Sequence, residues 1–333
     1  MPINYQEVYA RIQEIGQGAR ERKRTLDERR VKARELLAAY ASELDVLRSK
    51  VDAAKQADAN VRCAYPLSES LASSHPCPGE AKDVTLLAAD GSQINPDRHA
   101  AIQFCLINVG AIQMRLQSGE TPETFAESEL LYGDDLLPNG IPMSDGMVAL
   151  KRDLAERKKL DELSKGIKGL VVALTDGPIE LWGAKGDDAQ AYADFVQTYL
   201  KILSRLQTRG VIVAGYVDKP AADLVMRTLE IASADNEQIQ RLRDFHPLRG
   251  VSDRWLYGER ENPLLGPGER SAVFGLQSGS EKNYTGALSL HFFYLNVGTE
   301  GHPWPVRVEI PKWVADDKSK LDLLHAALVS QCR

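Results

Sequence analysis

Val84-Thr85-Leu86-Leu87-Ala88-Ala89-Asp90-Gly91-Ser92 climbs through apolar residues to an aspartate and stops on glycine. It reads as a buried strand that delivers a carboxylate to a sheet edge, where Gly91 lets the backbone turn or a ligand approach closely. The pattern returns at Leu170-Val171-Val172-Ala173-Leu174-Thr175-Asp176-Gly177-Pro178. One Asp-Gly after a strand is the ordinary look of a turn. Two of them predict a pair of carboxylates, Asp90 and Asp176, meeting at one edge.

Working outward, residues 101–109 read as a second strand. Gly110 permits a tight turn into a third strand over 111–116. Residues 125–131 add a further strand or a short helix. Then come a helix over 147–165, a strand over 168–174, a helix over 188–208 and a strand over 211–216. A helix over 220–231 follows, with proline in its first turn, and a short helix over 237–245. Residues 246–285 are rich in loops. Strands over 288–297 and 306–310 and an amphipathic helix over 318–332 close the chain. The order β-β-β-α-β-α-β-α predicts an α/β fold: an RNase H-like mixed sheet flanked by helices, with loop-rich insertions. A dinucleotide-binding Rossmann unit needs a helix directly after its first strand and a glycine-rich turn there. Asp90-Gly91-Ser92-Gln93 supplies neither.

Upstream, residues 3–58 read as helix. Tyr5, Val8, Ile12 and Ile15 form one seam, and Leu37, Tyr40, Leu44, Leu47 and Val51 form another, both with a/d-type steps for helix packing. Between them Arg20 to Arg34 carries eight basic and three acidic residues. That run is either a solvated helix face or a contact to phosphate or an acidic partner. Residues 59–82, rich in Pro, Ser, Gly and Cys, read as a linker or irregular loop. The expected division is a helical, coiled-coil-like region over 1–60, a linker over 61–82 and an RNase H-like domain over 83–333.

The bulk composition fits this division. The 333 residues are 43% hydrophobic and 26% charged, enough for a packed core. A net charge of -6 argues against a basic coat for nucleic acid but permits a local basic groove. The four cysteines form no CxxC pair, which argues against zinc, and His99, His246, His291 and His302 have no metal-ligand spacing. No apolar leader or membrane span stands out, so a reduced, cytoplasmic protein is expected.

Phosphodiester-cutting sites gather several carboxylates around Mg²⁺ or Mn²⁺, because hard cations take oxygen ligands. A third acid is expected from the helix between the two aspartates. Glu156 shares a helix face with Ala149, Leu160 and Leu163, the face that meets the sheet, and Arg152 four positions earlier can pair with it. The plain alternative is a surface glutamate paired with Arg152 or Lys159. Glu127 and Glu129 are rivals for the third position. Lys219, after the strand over 211–216, is placed to meet a phosphate or to serve as an ordinary loop lysine. Asp218 beside it reads as a turn or cap. Arg152, Arg254 and Arg270 are further candidates for phosphate contacts, the last two with loop ion pairs as the plain alternative.

Taken together, Asp90-Gly91-Ser92, Arg152 with Glu156, Asp176-Gly177-Pro178, Gly215 to Lys219, Ser252-Asp253-Arg254, Gly268-Glu269-Arg270-Ser271 and Arg307-Val308-Glu309-Ile310-Pro311 resemble the NurA nuclease domain, from about residue 84 to the end. The resemblance implies a manganese-dependent DNA nuclease, with Mg²⁺ as a substitute and two ions bound. It implies 5′-to-3′ exonuclease and single-strand endonuclease action in DNA end resection and double-strand break repair. A homodimer working on single-stranded or duplex DNA ends beside a HerA-type hexameric ATPase follows from the same likeness. Asp90, Glu156 and Asp176 would be metal ligands and Lys219 would sit near the phosphate. Family members continue past the last helix into a Gly-Tyr-Pro…Ala-His segment, whereas this sequence stops at Ser330-Gln331-Cys332-Arg333. Two other readings follow: a catalytically weakened docking subunit of that ATPase, and an actin-like or sugar-kinase-type ATPase. The last needs two such domains, and the series occurs once.

Overall fold

A computed structural model describes residues 4–97, 99–137, 140, 142–181 and 189–332. Residue 3 of the expected first helix, residue 188 of the expected 188–208 helix and Arg333 lie outside the described residues. Three helices open the chain: α1 (Tyr5–Gln17), α2 (Ala19–Tyr40) and α3 (Leu44–Ala57). Two short strands follow, β1 (Cys63–Pro66) and β2 (Ser74–His75), then the long strands β3 (Val84–Ile94), β4 (Phe104–Arg115) and β5 (Glu123–Tyr132). Next come α4 (Asp145–Leu163), β6 (Leu170–Asp176), α5 (Ala189–Thr208), β7 (Ile212–Val217), α6 (Leu224–Ser233), α7 (Asn236–Gln240) and α8 (Asp253–Tyr257). The chain ends with β8 (Arg270–Ser271), β9 (Phe274–Gln277), β10 (Leu290–Asn296), β11 (Pro305–Pro311), α9 (Lys312–Ala315) and α10 (Lys318–Gln331).

The strands form one sheet in the order β1-β9-β10-β11-β7-β6-β3-β4-β5. Within it, β5-β4-β3-β6-β7 is the RNase H-like series. Strands β3, β4 and β5 pair antiparallel, while β3, β6 and β7 run parallel. The parallel members are nearly continuous apolar runs, as strands covered on both faces require. On one face α4 packs over β3 and β4, burying Val148 with Cys105 and Ile107. Helix α5 lies beside α4, tied by Arg205 and Arg209 to Asp161.

Five expectations change. Gly110 does not turn the chain. It continues β4 opposite Asp90, so the second and third expected strands are one, and the third strand of the series is β5. Asp90 therefore lies within β3 rather than at its end. Helix α6 begins at Leu224 and not at Pro220, because the Asp253 carboxylate accepts hydrogen bonds from the amides of Val225 and Met226, both at 2.8 Å. A long-range cap fixes that start. The stretch read as a linker supplies β1, which pairs antiparallel with β9 and packs under α6. The second helical seam breaks between α2 and α3, although Leu37, Leu47 and Val51 are buried as expected. Seam residues Tyr5, Val8, Ile12 and Ile15 on α1 remain exposed. No helix among the described residues is long and apolar enough to cross a membrane.

Candidate active site

Strand register decides where the aspartates point. Ala89 pairs with Thr175 and Thr175 with Gly215, while Asp176 pairs with Tyr216. One position beyond Ala89, Asp90 faces Gly110 on its other side. Alternation then puts Asp90, Asp176 and Tyr216 on one face of the sheet, and Ala89, Gly91 and Thr175 on the face that α4 covers. The first face is open. A depression of about 490 Å³ lies over Ala88, Asp90, Ile112, Leu174, Asp176 and Tyr216. Both aspartates are exposed, and among the described residues neither side chain has a hydrogen-bond or ion-pair partner.

Glu156 comes from the covered side. Its face of α4 is the one the sequence predicted, and the residue is buried. Gly91 explains how it fits: a Cβ there would stand 2.7 Å from Glu156 Oε1 and 2.7 Å from Arg152 Cγ. The missing side chain is the gap that the carboxylate occupies. Arg152 Nε approaches Oε1 at 3.4 Å and Arg157 Nη1 approaches Oε2 at 3.7 Å. Even so, burial pushes the Glu156 carboxyl up to about 7, and the charges of Asp153 and Asp90 add to the rise against the two arginines. The Thr175 hydroxyl, on the same side, is buried without a partner.

The structure thus brings Asp90 and Asp176 together and sets Glu156 beneath them, in electrostatic reach of Asp90. It does not close the three into one ligand cluster: among the described residues no group of three or more His, Cys, Asp or Glu stands ready to hold a metal ion. The rivals are occupied elsewhere. Glu127 pairs with Lys159 at 3.2 Å and Glu129 with Lys151 at 2.9 Å on the far side of β4.

The loop after Asp176 is braced from three sides. Arg157 donates from Nη2 to the Pro178 carbonyl at 3.1 Å and from Nη1 to the Asp153 carbonyl at 2.8 Å, and its guanidinium lies over the Tyr199 ring. The buried Glu309 accepts from the Ile179 amide at 3.1 Å and from Arg307 Nε at 3.1 Å. Gly215 lets the loop lie flat on β7, since a Cβ there would stand 2.6 Å from the Gly177 carbonyl oxygen. Arg157 went unnamed in the sequence, because only the fold shows that it reaches this loop. The Arg307–Glu309 motif is likewise scaffold.

Lys219 and Arg254 also converge. Lys219, exposed beyond β7, places its Nζ 6.0 Å from the Trp304 ring centre, and the Arg254 guanidinium lies 4.0 Å from the same centre. Asp218 accepts from Trp304 Nε1 at 2.9 Å. Arg270 is placed differently. It is buried on β8, pairs with Glu69 at 3.4 Å and donates to the Ser271 carbonyl, at the far arm of the sheet from the aspartates. Nearby, His325 has a structural bond, its Nε2 meeting the Gly268 carbonyl at 2.8 Å.

A five-stranded β5-β4-β3-β6-β7 series with carboxylates on its two central parallel strands places the molecule in the RNase H-like class. The NurA domain model matches residues 84–333, so the chain belongs to the NurA family of nucleases. Among solved structures it is similar to the NurA nuclease from Sulfolobus solfataricus, at 12% identity and a TM-score of 0.44, over 98% of this chain and 86% of that one. The catalytic domain of human Endonuclease V matches at 13% identity and a TM-score of 0.31, over 85% of this chain and 87% of that one. LC9-RNase H1, a type 1 RNase H with the type 2 active-site motif, matches at 13% identity and a TM-score of 0.26, over 40% of this chain and 62% of that one. No curated protein matches.

Proposed function

We propose that this nuclease is a divalent-metal-dependent deoxyribonuclease centred on Asp90 and Asp176. The observation that carries the reading is the pair itself: two carboxylates on adjacent strands, exposed on an open face, with no cation opposite either among the described residues. Such a pair is self-repelling in the folded chain, and a ligand of opposite charge relieves it. The donor chemistry fits Mn²⁺ or Mg²⁺, since all of it is carboxylate oxygen with neither thiolate nor imidazole. Asp90 and Asp176 would hold the ions on the open face; Glu156, on the covered side, would join them as a third donor only by way of the side-chain-free position at Gly91. Bound divalent cations would supply Lewis-acid stabilisation of charge developing on the phosphate.

The rest falls to the chain's own residues. Lys219 and Arg254 bind backbone phosphates beside the depression. Arg152, half-buried and anchored on Asp153 by bonds of 3.2 and 2.7 Å, holds Glu156 from the helix side. Arg157 and Glu309 keep the Asp176 loop in place. The open face admits an extended strand, in keeping with exonuclease action from a DNA end and single-strand cleavage. The 5′-to-3′ direction, the role in end resection and repair, and the HerA-type ATPase belong to the same reading through the family. A second copy of the chain or that ATPase would use the stripe of Tyr5, Val8, Ile12 and Ile15 on α1, which the folded chain leaves uncovered. The setting is cytoplasmic.

The test is cleavage of end-labelled single- and double-stranded DNA with Mn²⁺, Mg²⁺ or EDTA, alongside Asp90→Ala. Manganese-dependent shortening that disappears in the variant supports the reading. A folded chain that cuts neither substrate with either ion refutes it and leaves the docking-subunit alternative.

A further inference from the structure

Three distant segments meet at Trp304: the loop after β7 with Asp218 and Lys219, the start of α8 with Arg254, and the residue before β11. Their meeting is built and not incidental. The Trp304 backbone amide donates to the Oδ1 of the buried Asn296 at 2.8 Å, and its carbonyl accepts from the Val297 amide at 3.1 Å. Asn296 also accepts from the Gly298 amide at 3.0 Å and donates to the Leu265 carbonyl at 2.8 Å. Gly298 is required there, since a Cβ would stand 2.2 Å from the His302 carbonyl oxygen and 2.5 Å from the Trp304 nitrogen. The ring is then oriented by its own bond to Asp218. Backbone, ring edge and ring face are each fixed, yet the side chain is exposed.

Two cations rest against this fixed ring. Among the described residues, the guanidinium of Arg254 and the ammonium of Lys219 have no hydrogen-bond or ion-pair partner, and the ring is their contact. A guanidinium stacked on an indole face keeps its N–H donors free at the edge, where phosphate oxygens are met. The position suits a substrate. Tyr216 stands beside Asp176, and Lys219 is three residues further on, at most about 10 Å along the chain.

We propose that Trp304 is a positioning residue that holds Arg254 and Lys219 as a phosphate grip for a nucleic-acid strand leading to the Asp90–Asp176 depression. This rests on the nuclease reading. The ring contributes no bond to the substrate. It prepares two cations whose side-chain entropy would otherwise be lost on binding.

The experiment is binding of a short fluorescein-labelled single-stranded oligonucleotide to the full chain in EDTA, read by anisotropy across a salt series. Arg254→Gln is expected to weaken binding about tenfold and to flatten the logarithmic salt slope by about 0.7. Arg254→Lys keeps the charge and loses the planar stack, so affinity falls while the slope is kept. Trp304→Leu is expected to weaken binding about fivefold, and Trp304→Phe to restore most of it. The double variant Trp304→Leu with Arg254→Gln should lose less than the product of the single losses. Thermal melting of each variant checks folding. If Trp304→Leu fails to melt cooperatively, Arg254→Lys decides, and unchanged affinity in that variant overturns the grip. Full multiplication of the two losses, or a folded Trp304→Leu with unchanged affinity, overturns it too. In those cases binding by the unmodified chain leaves the nuclease reading standing. No binding by the unmodified chain overturns the grip, while the nuclease reading is decided by the metal-dependent cleavage assay.

Discussion

Two sets of acids in this molecule differ in what surrounds them. Asp253 is fully buried and accepts three hydrogen bonds, from the Val225 and Met226 amides at 2.8 Å and from the Tyr294 hydroxyl at 2.7 Å. Glu309, also fully buried, is met by the Ile179 amide and by Arg307, whose Nη2 lies 3.0 Å away. Asp90 and Asp176 are exposed, and no side chain or amide among the described residues meets them. All four lie in Asp- or Glu-containing stretches that resemble one family, so residue type alone does not divide them. Satisfaction does. An acid whose lone pairs are filled from within is a structural cap or brace. An acid left unfilled beside another is held at a cost, and a ligand is what offsets it.

The sharpest way to break this comparison is to remove one edge acid. Asp90→Ala or Asp176→Ala should lower DNA cleavage by on the order of a thousandfold, equivalent to about 4 kcal/mol of transition-state stabilisation. Stability in urea should stay level or rise by up to about 1 kcal/mol, because a repulsion is relieved. Cleavage within about tenfold of the parent would remove that aspartate from the site. The converse is Asp253→Ala. It strands two amide donors and a hydroxyl in the interior, and should cost about 3 kcal/mol or more in urea unfolding. A loss under about 1 kcal/mol would show that burial and bonding at Asp253 count for less than supposed.

What the sequence showed and what it hid follow the same division. Apolar runs ending at Asp90 and Asp176 were legible, since strand period and the Asp-Gly pair are local signals. The inward face of Glu156 was legible from helical spacing for the same reason. Gly110 is not legible in this way, because a glycine in a long strand and a glycine in a turn look alike until the partner strand is known. The strand β1, Cys63 to Pro66, pairs with β9, Phe274 to Gln277, so no local pattern announces it. The α6 cap, the Arg157 reach to Pro178 and the gathering of Lys219 and Arg254 at Trp304 depend on contacts between segments far apart in the chain. Sequence singled out both cations but gave no reason for them to meet. Arg270 illustrates the opposite: a motif arginine that proves to be an internal partner of Glu69.

Glu156 sits between the two sets, buried like Asp253 but poorly neutralised like Asp90. Its carboxyl is pushed from 4.5 to about 7, so the folded chain binds more protons than the unfolded chain between those values. Stability in metal-free buffer should therefore fall as pH climbs through that window. Glu156→Gln should flatten the fall and be more stable than the parent at pH 8, by on the order of 2 kcal/mol. Below pH 4.5 the two chains should converge. Identical profiles by urea unfolding would mean that Arg152 and Arg157 neutralise the charge and that Glu156 belongs with the interior braces.

The smallest expected effect separates the edge acids from their surface rivals. Glu127 and Glu129 stand on β5, exposed, each facing a lysine of α4 at 3.2 and 2.9 Å. Pairs whose carboxylate is exposed in this way contribute little, because water screens the acid and two long side chains must be held still. Glu127→Ala or Glu129→Ala should change stability by no more than about 0.5 kcal/mol. Both residues stand on β5, across β4 from Asp90, and are held by lysines of α4, so DNA cleavage should stay within about twofold of the parent, a change under about 0.5 kcal/mol. The partner lysines provide a control. Lys159 also faces Glu162 at 3.3 Å and lies over the Phe125 ring, so losing Glu127 leaves it two other contacts. Lys151 has only Glu129 among the ion pairs of the described residues, so of the two substitutions Glu129→Ala should cost slightly more. If either one abolished cleavage while Asp176→Ala did not, the third carboxylate would come from β5 and the open face would not be the one on which the strand is cut.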